Sequence, residues 1–117
     1  MVLNKPIYVL IGSHTVSAAE EFAYNLKNLQ RATLIGKTTA GGAHPTEVLW
    51  IHPHIEAYIP AWRALNPIPG TNWEGTGVAP DIDVSEEHAL DTAYAHALEA
   101  IAAKRLLQEI RAARTTL

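Results

Sequence analysis

An α/β fold is predicted, and three observations predict it. A continuous β-branched and aromatic run, Ile7 to Ile11, is followed by an amphipathic stretch and then by a second apolar run, Ala32 to Ile35. Strand, helix and strand in close succession make a βαβ unit, which implies a parallel pair joined by a right-handed crossover. Extra strand-like runs follow, and from Ser85 onward Gly and Pro vanish and a long helix is expected.

The elements can be justified in order. Pro6 and Gly12 bound the first run, which reads as a strand buried on both faces. Ala19, Phe22, Ala23, Leu26 and Leu29 recur at helical spacing, so a helix is expected over roughly Ser17 to Gln30. Gly36 closes the second strand, and Thr38 to Pro45 (TTAGGAHP) is a loop of small residues. Glu47–Ile51 and Ile55–Ile59 read as two strands split by His52, Pro53 and His54. Pro60 to Gly77 is irregular, and loops of that length in compact domains are often functional. Ile82 and Val84 alternate as an edge strand. From about Glu86 to Arg114 a helix carries Leu90, Ala93, Ala97, Ile101, Leu106 and Ile110 near one stripe. A helix that long is expected to pack partly on a neighbouring domain or on a second copy of the chain.

Composition narrows the function. The 117 residues are 48% hydrophobic and 18% charged, which suits one small packed domain. A net charge of −3 offers no basic footprint for nucleic acid. No apolar run reaches the ~20 residues of a membrane-spanning helix. Cysteine is absent, so a disulfide, a thiolate metal site and a Cys nucleophile are excluded. Met1 to Pro6 has no signal-peptide pattern. With so few residues before the first strand, the chain is expected to begin inside a larger protein.

Ser17 is the first candidate for chemistry. It follows a strand and a Gly-containing turn and opens a helix. Such a position exposes a hydroxyl above the carboxyl edge of the sheet, and the free N–H groups of the helix start favour a developing oxyanion. The same pattern has a purely structural reading. Ser17-Ala-Ala-Glu20 fits a capping box, in which serine caps the helix and glutamate caps back. Thr15 or Ser13 as the cap would free Ser17 for chemistry.

Three ordered segments carry a family resemblance. His14-Thr-Val-Ser17-Ala-Ala-Glu20-Glu-Phe-Ala23 resembles the nucleophile segment of the tail-specific (C-terminal processing) serine peptidases, which include the tricorn core. Gln30 to Gly42 resembles the strand and Gly loop that follow it, and Trp73 to Val84 resembles the closing motif. The likeness runs from about residue 5 to 84 and is greatest to the branch containing interphotoreceptor retinoid-binding protein.

The resemblance implies a ClpP/crotonase-like fold and a serine endopeptidase acting through an acyl-enzyme on Ser17. Many relatives use a lysine base in the Gly loop, at the position of Gly42 here; Lys37 is offset and reads as a surface residue. The tricorn-like branch instead uses an upstream histidine as base with an assisting glutamate, and Glu74 matches that glutamate. Its oxyanion hole implies the Ala18 N–H together with a glycine N–H from an earlier strand. With base and second donor lying outside these residues, the chain alone is expected to be inactive. The alternative is a non-catalytic carrier of retinoids or other hydrophobic ligands on the same scaffold. The resemblance also suggests a periplasmic or secreted setting.

The expected partner is a peptide or protein substrate, lying against Gly41, Gly42 and Trp62. Pro60-Ala-Trp62-Arg63 would line its groove, with an extended peptide pairing a strand edge. No cofactor is expected. His14, His44, His52 and His54 lack the spacing of a zinc site, so no metal is expected either.

Overall fold

The computed structural model describes residues 5–115. Strand β1 (Tyr8–Ile11), helix α1 (Ala18–Asn28) and strand β2 (Thr33–Gly36) form the expected βαβ unit. β1 and β2 pair in parallel from Tyr8 opposite Thr33 to Ile11 opposite Gly36. A short strand β5 (Ile82–Asp83) adds in parallel to the other side of β2, giving the order β1-β2-β5. Strands β3 (Thr46–His52) and β4 (Ile55–Pro60) form a separate antiparallel hairpin. Helix α2 (Glu86–Thr115) ends the chain.

The core lies on both faces of the parallel sheet, because alternate strand residues point opposite ways. On one face Ile11 and Leu34 pack with Ala23 of α1, Ala43, Trp73 and Val78. On the other, Ile35 meets Ala89 and Ala93 of α2, with Tyr8, Ile82 and Val84 beside them. The sheet is therefore a middle layer between two helices, as a doubly covered parallel sheet requires.

Three expectations need correction. β1 is an edge strand among the described residues, and Leu10 is 44% exposed, so only Ile11 is buried as expected. α1 turns Glu20 and Ala23 inward and leaves Ala19, Phe22 and Leu29 exposed, because the sheet lies on the flank beside the predicted stripe. On α2, Ala89 and Ala93 are the buried residues, whereas Leu90 of the predicted stripe is exposed.

α1 starts and stops for local reasons. Glu20 and Glu21 occupy the first turn and Lys27 the last, in favour with the helix dipole. Gln30, at φ 51°, reverses the chain into β2. The Pro- and Gly-rich segment after β4 is tied to α1. Asn66 is buried and donates to Asn25 Oδ1 at 2.7 Å, and Tyr24 packs on Trp73 with ring centroids 5.3 Å apart. Residues 101–114 of α2 and all of β3 are exposed. The molecule is accordingly elongated, 81 × 31 × 22 Å.

Candidate active site

The turn between β1 and α1 is held by its own hydrogen bonds and by Ala40 N–H of the Gly loop, which donates to Thr15 O at 2.9 Å. Thr15 N–H donates to Gly12 O at 2.9 Å, and Gly12 N–H donates to Thr15 Oγ1 at 3.1 Å. Ser13 is drawn away: its N–H and hydroxyl donate to Glu86 Oε1 at 2.6 and 2.8 Å. Ser17 is thus the N-cap residue, and neither Ser13 nor Thr15 takes that place.

Ser17 has φ 58° and ψ −122°. A serine there costs on the order of 1–3 kcal/mol and persists only where its surroundings over-determine it. The residue is exposed. Its hydroxyl stands in the capping-box arrangement with Glu20 but makes no side-chain capping hydrogen bond. Ala18, next along, is exposed, and its N–H donates to no acceptor among the described residues.

Glu20 is the least expected member of the region. Its side chain is fully buried, at 0% exposure. Oε2 accepts from Ser17 N–H at 2.8 Å and from Gly42 N–H at 2.9 Å. Oε1 accepts from Gly41 N–H at 2.7 Å and from the Thr39 hydroxyl at 2.5 Å. Burial pushes its carboxyl up, but hydrogen bonds from Thr39, Gly41, Gly42 and Ser17 outweigh that and hold it below the ordinary value of 4.5.

Glu74 meets the same loop two residues further on. Its Oε2 accepts from Ala43 N–H at 2.6 Å and from His44 N–H at 3.0 Å. Two carboxylates, one from α1 and one from the closing motif, therefore collect four successive N–H groups of Gly41 to His44. The loop is held further by Trp73, 3% exposed, whose indole N–H donates to Gly42 O at 3.3 Å, and by Gly75 N–H donating to Gly41 O at 2.9 Å. Position 42 faces the Ser17 turn: a Cβ there would meet Val16 Cγ2 at 3.2 Å and stand 3.8 Å from Glu20 Oε2.

His44 joins this rim. Its Nδ1 lies 3.8 Å from Glu74 Oε2, and its Nε2 is 3.3 Å from Asn72 Nδ2. Asn72 also donates to Ala64 O and accepts from Glu74 N–H, so it ties His44 and Glu74 into one rim. Trp62 is 66% exposed; its backbone N–H and that of Ala61 donate to Pro45 O, at 3.4 and 3.0 Å. Lys37 is bound elsewhere, with its ammonium 2.5 Å from Asp83.

An open pocket of about 550 Å³ adjoins the turn, lined by Leu10, Val16, Ala19 and Leu90 among others. Of the histidines, His14 lies 3.2 Å from Ser13 Oγ, while His52 and His54 stand ring to ring at 5.5 Å on the hairpin.

Of the residues expected to form a site, Ser17, Ala18, Gly41, Gly42 and Glu74 converge on one turn and one loop. Trp62 is attached at Pro45, the far end of that loop. Reading the sequence missed Glu20, Thr39, His44 and Asn72 as parts of the region. The S-x-x-E pattern did mark Glu20, but only as a cap; its reach to the loop is a tertiary fact.

Comparisons with known proteins bear on the family and the fold. The model of peptidase family S41 matches residues 1–84. The solved structure of a photosystem II D1 C-terminal processing protease superposes with a TM-score of 0.62 at 27% identity, over 72% of this chain and 22% of that one. Mature CPAF gives 0.62 at 26% identity, over 83% of this chain and 19% of its own, and its complex with lactacystin gives 0.63 at 26% over the same shares. The chain thus spans between 19% and 22% of the length of these solved structures. A family match across most of the chain, together with the shared α/β fold, makes this chain a member of peptidase family S41, the tail-specific peptidases.

Proposed function

We propose that these residues supply the nucleophile side of a serine peptidase site, in the tricorn-core and retinoid-binding-protein-like branch of the family. The observation that carries the reading is Ser17 itself. It is an exposed serine in a left-handed turn between a parallel strand and a helix, next to an N–H without an acceptor among the described residues.

The chemistry follows from that placement. Ser17 Oγ adds to the carbonyl carbon of a scissile peptide and loses its proton to a base. The carbonyl oxygen becomes an oxyanion, for which the Ala18 N–H and the start of α1 are the proposed stabilising groups. The C–N bond then breaks, the amine leaves with the proton, and water releases the acyl group by the reverse sequence. We assign the base to a histidine outside these 117 residues, since Gly42 has no side chain to act. Glu74 is assigned the assisting role, on the rim it shares with His44. An extended peptide running past Gly41 and Gly42 toward Trp62 is the proposed substrate pose.

A fluorophosphonate probe on the product of the complete gene tests this. Labelling at Ser17, abolished by Ser17→Ala, is the expected outcome; an unlabelled, folded protein would overturn it. For a polypeptide of these 117 residues alone, peptide hydrolysis is expected to fall by about 10⁴-fold or more relative to the complete product. Hydrolysis by that polypeptide, lost on Ser17→Ala, would place the base within the chain, with His44 beside Glu74 as the candidate.

A second reading rests on the pocket of about 550 Å³ beside the turn, whose walls include Leu10, Val16, Ala19, Ala89 and Leu90. It suits a hydrophobic ligand, and a carrier on the same scaffold would bind retinoid and leave the probe unreacted.

A further inference from the structure

We propose that Glu20 is the positioning residue of this site: its buried carboxylate locks the Ser17 turn and the Gly41–Gly42 loop into one fixed relation. The proposal rests on the reading of Ser17 as nucleophile.

The first reason is that the carboxylate does more than a helix cap. A capping glutamate needs only the N-cap N–H. Glu20 takes that bond from Ser17 and three more, from Thr39, Gly41 and Gly42, which lie 19 to 22 residues further along. Surface caps stay wet, whereas this one is completely buried. A buried carboxylate is retained only where its oxygens are satisfied, and here each oxygen accepts two donors.

The second reason is strain. Ser17 holds φ 58°, a region that side chains seldom occupy. Something must fix that turn: Glu21 N–H donates to Ser17 O at 3.0 Å from within the helix, and Ser17 N–H donates to the Glu20 carboxylate at 2.8 Å, the one of these two bonds whose partner also holds the Gly loop. Through the same oxygen it ties the turn to Gly42. Behind it Thr39 extends the anchor, since the hydroxyl that donates to Glu20 accepts from Val78 N–H at 2.7 Å.

The third reason separates positioning from catalysis. Among the described residues the Glu20 carboxylate makes no hydrogen bond to Ser17 Oγ, and both its oxygens are occupied. It cannot accept the nucleophile's proton without giving up the loop. Its negative charge is spread into four surrounding donors, so it stands behind the serine with little cost to a nearby oxyanion.

The test compares Glu20→Gln, Glu20→Asp and Ser17→Ala in the product of the complete gene, each normalised to its folded fraction. Glutamine keeps the shape but turns one acceptor oxygen into a donor amide facing N–H groups. The expected result is a loss of about 10²-fold in kcat and in the rate of fluorophosphonate labelling. KM for peptide should stay within about threefold, the signature of a misplaced reacting group and not of lost binding. Glu20→Asp, which keeps the charge on a shorter arm, should recover part of the loss.

A folded Glu20→Gln protein with wild-type kcat overturns the proposal, as does a loss fully explained by the folded fraction. If Glu20→Gln does not fold, Thr39→Val decides: it removes one donor, and a drop in kcat at constant KM supports the proposal while an unchanged kcat overturns it. Activity surviving in Ser17→Ala would sink the nucleophile reading by itself, whatever the Glu20 variants do.

Discussion

At φ 58°, Ser17 pays a conformational cost that glycine would avoid. Its stability effect is therefore separable from its chemistry. Ser17→Gly should be more stable than Ser17→Ala by about 1 kcal/mol, read by urea denaturation, because alanine keeps the strain and glycine does not. Equal stabilities would mean that the turn relaxes. Glu20 governs acid stability. Its folded pKa lies below the unfolded value of 4.5, so it contributes stability that is fully present above that value and lost as the pH falls through the folded pKa. Glu86 has the same sign, through the N–H and hydroxyl of Ser13. Glu20→Gln should cost roughly 2 kcal/mol near neutral pH, and the gap to wild type should narrow below pH 4.5. A gap constant with pH would show that the carboxylate's charge is irrelevant to folding. At this scale the sequence singled out Ser17 and Glu74 because their motifs are short and ordered, and the fold brings both to the Gly41–His44 loop, Ser17 through Glu20 and Glu74 directly. It could not distinguish a surface cap from a buried clamp at Glu20, because both need only serine and glutamate three apart.

For the elements, what the close-packed loops demand is best seen at Gly77. It has φ 71°, and a Cβ there would stand 2.2 Å from Thr39 O, on the residue that braces Glu20. Gly70 has a similar φ of 67° with nothing within 4 Å. Gly70→Ala should thus cost only the backbone term, about 1 kcal/mol, and Gly77→Ala about 3 kcal/mol or more. Thermal melts of the two variants check the contrast, and equal losses would mean that the closing motif can move off Thr39. The βαβ unit and the terminal helix were legible because apolar runs and helical spacing are local properties. The buried flank of α1 was not. Periodicity finds an apolar stripe, but Ala19, Phe22 and Leu29 lie outside because the sheet meets the adjacent flank, where four hydrogen bonds repay the burial of Glu20. Likewise β1 has the composition of a central strand yet stands at an edge among the described residues.

Over the whole molecule, much apolar surface has no cover. Trp50, Ile51 and Tyr58 on the hairpin and Leu106 and Ile110 on α2 are all exposed. A helix without tertiary packing is marginal in water. In a polypeptide of these 117 residues, amides of 101–114 should exchange hydrogen faster than those of 89–97, where Ala89 and Ala93 pack on Ile35. Uniform protection along α2 would mean that a second copy covers its outer half, one of the two packings expected from the helix's length. Sedimentation at two concentrations separates those cases.

Residue order alone was enough to announce a strand-turn-serine-helix unit, a Gly loop and a closing motif, because each is written in adjacent residues. Where those pieces meet is another matter. That one buried carboxylate gathers the serine turn and the loop, while a second takes the next two N–H groups, depends on hydrogen bonds between residues about 20 and 30 positions apart. Such distances are set by how helix, sheet and loop pack together, and no local pattern records them.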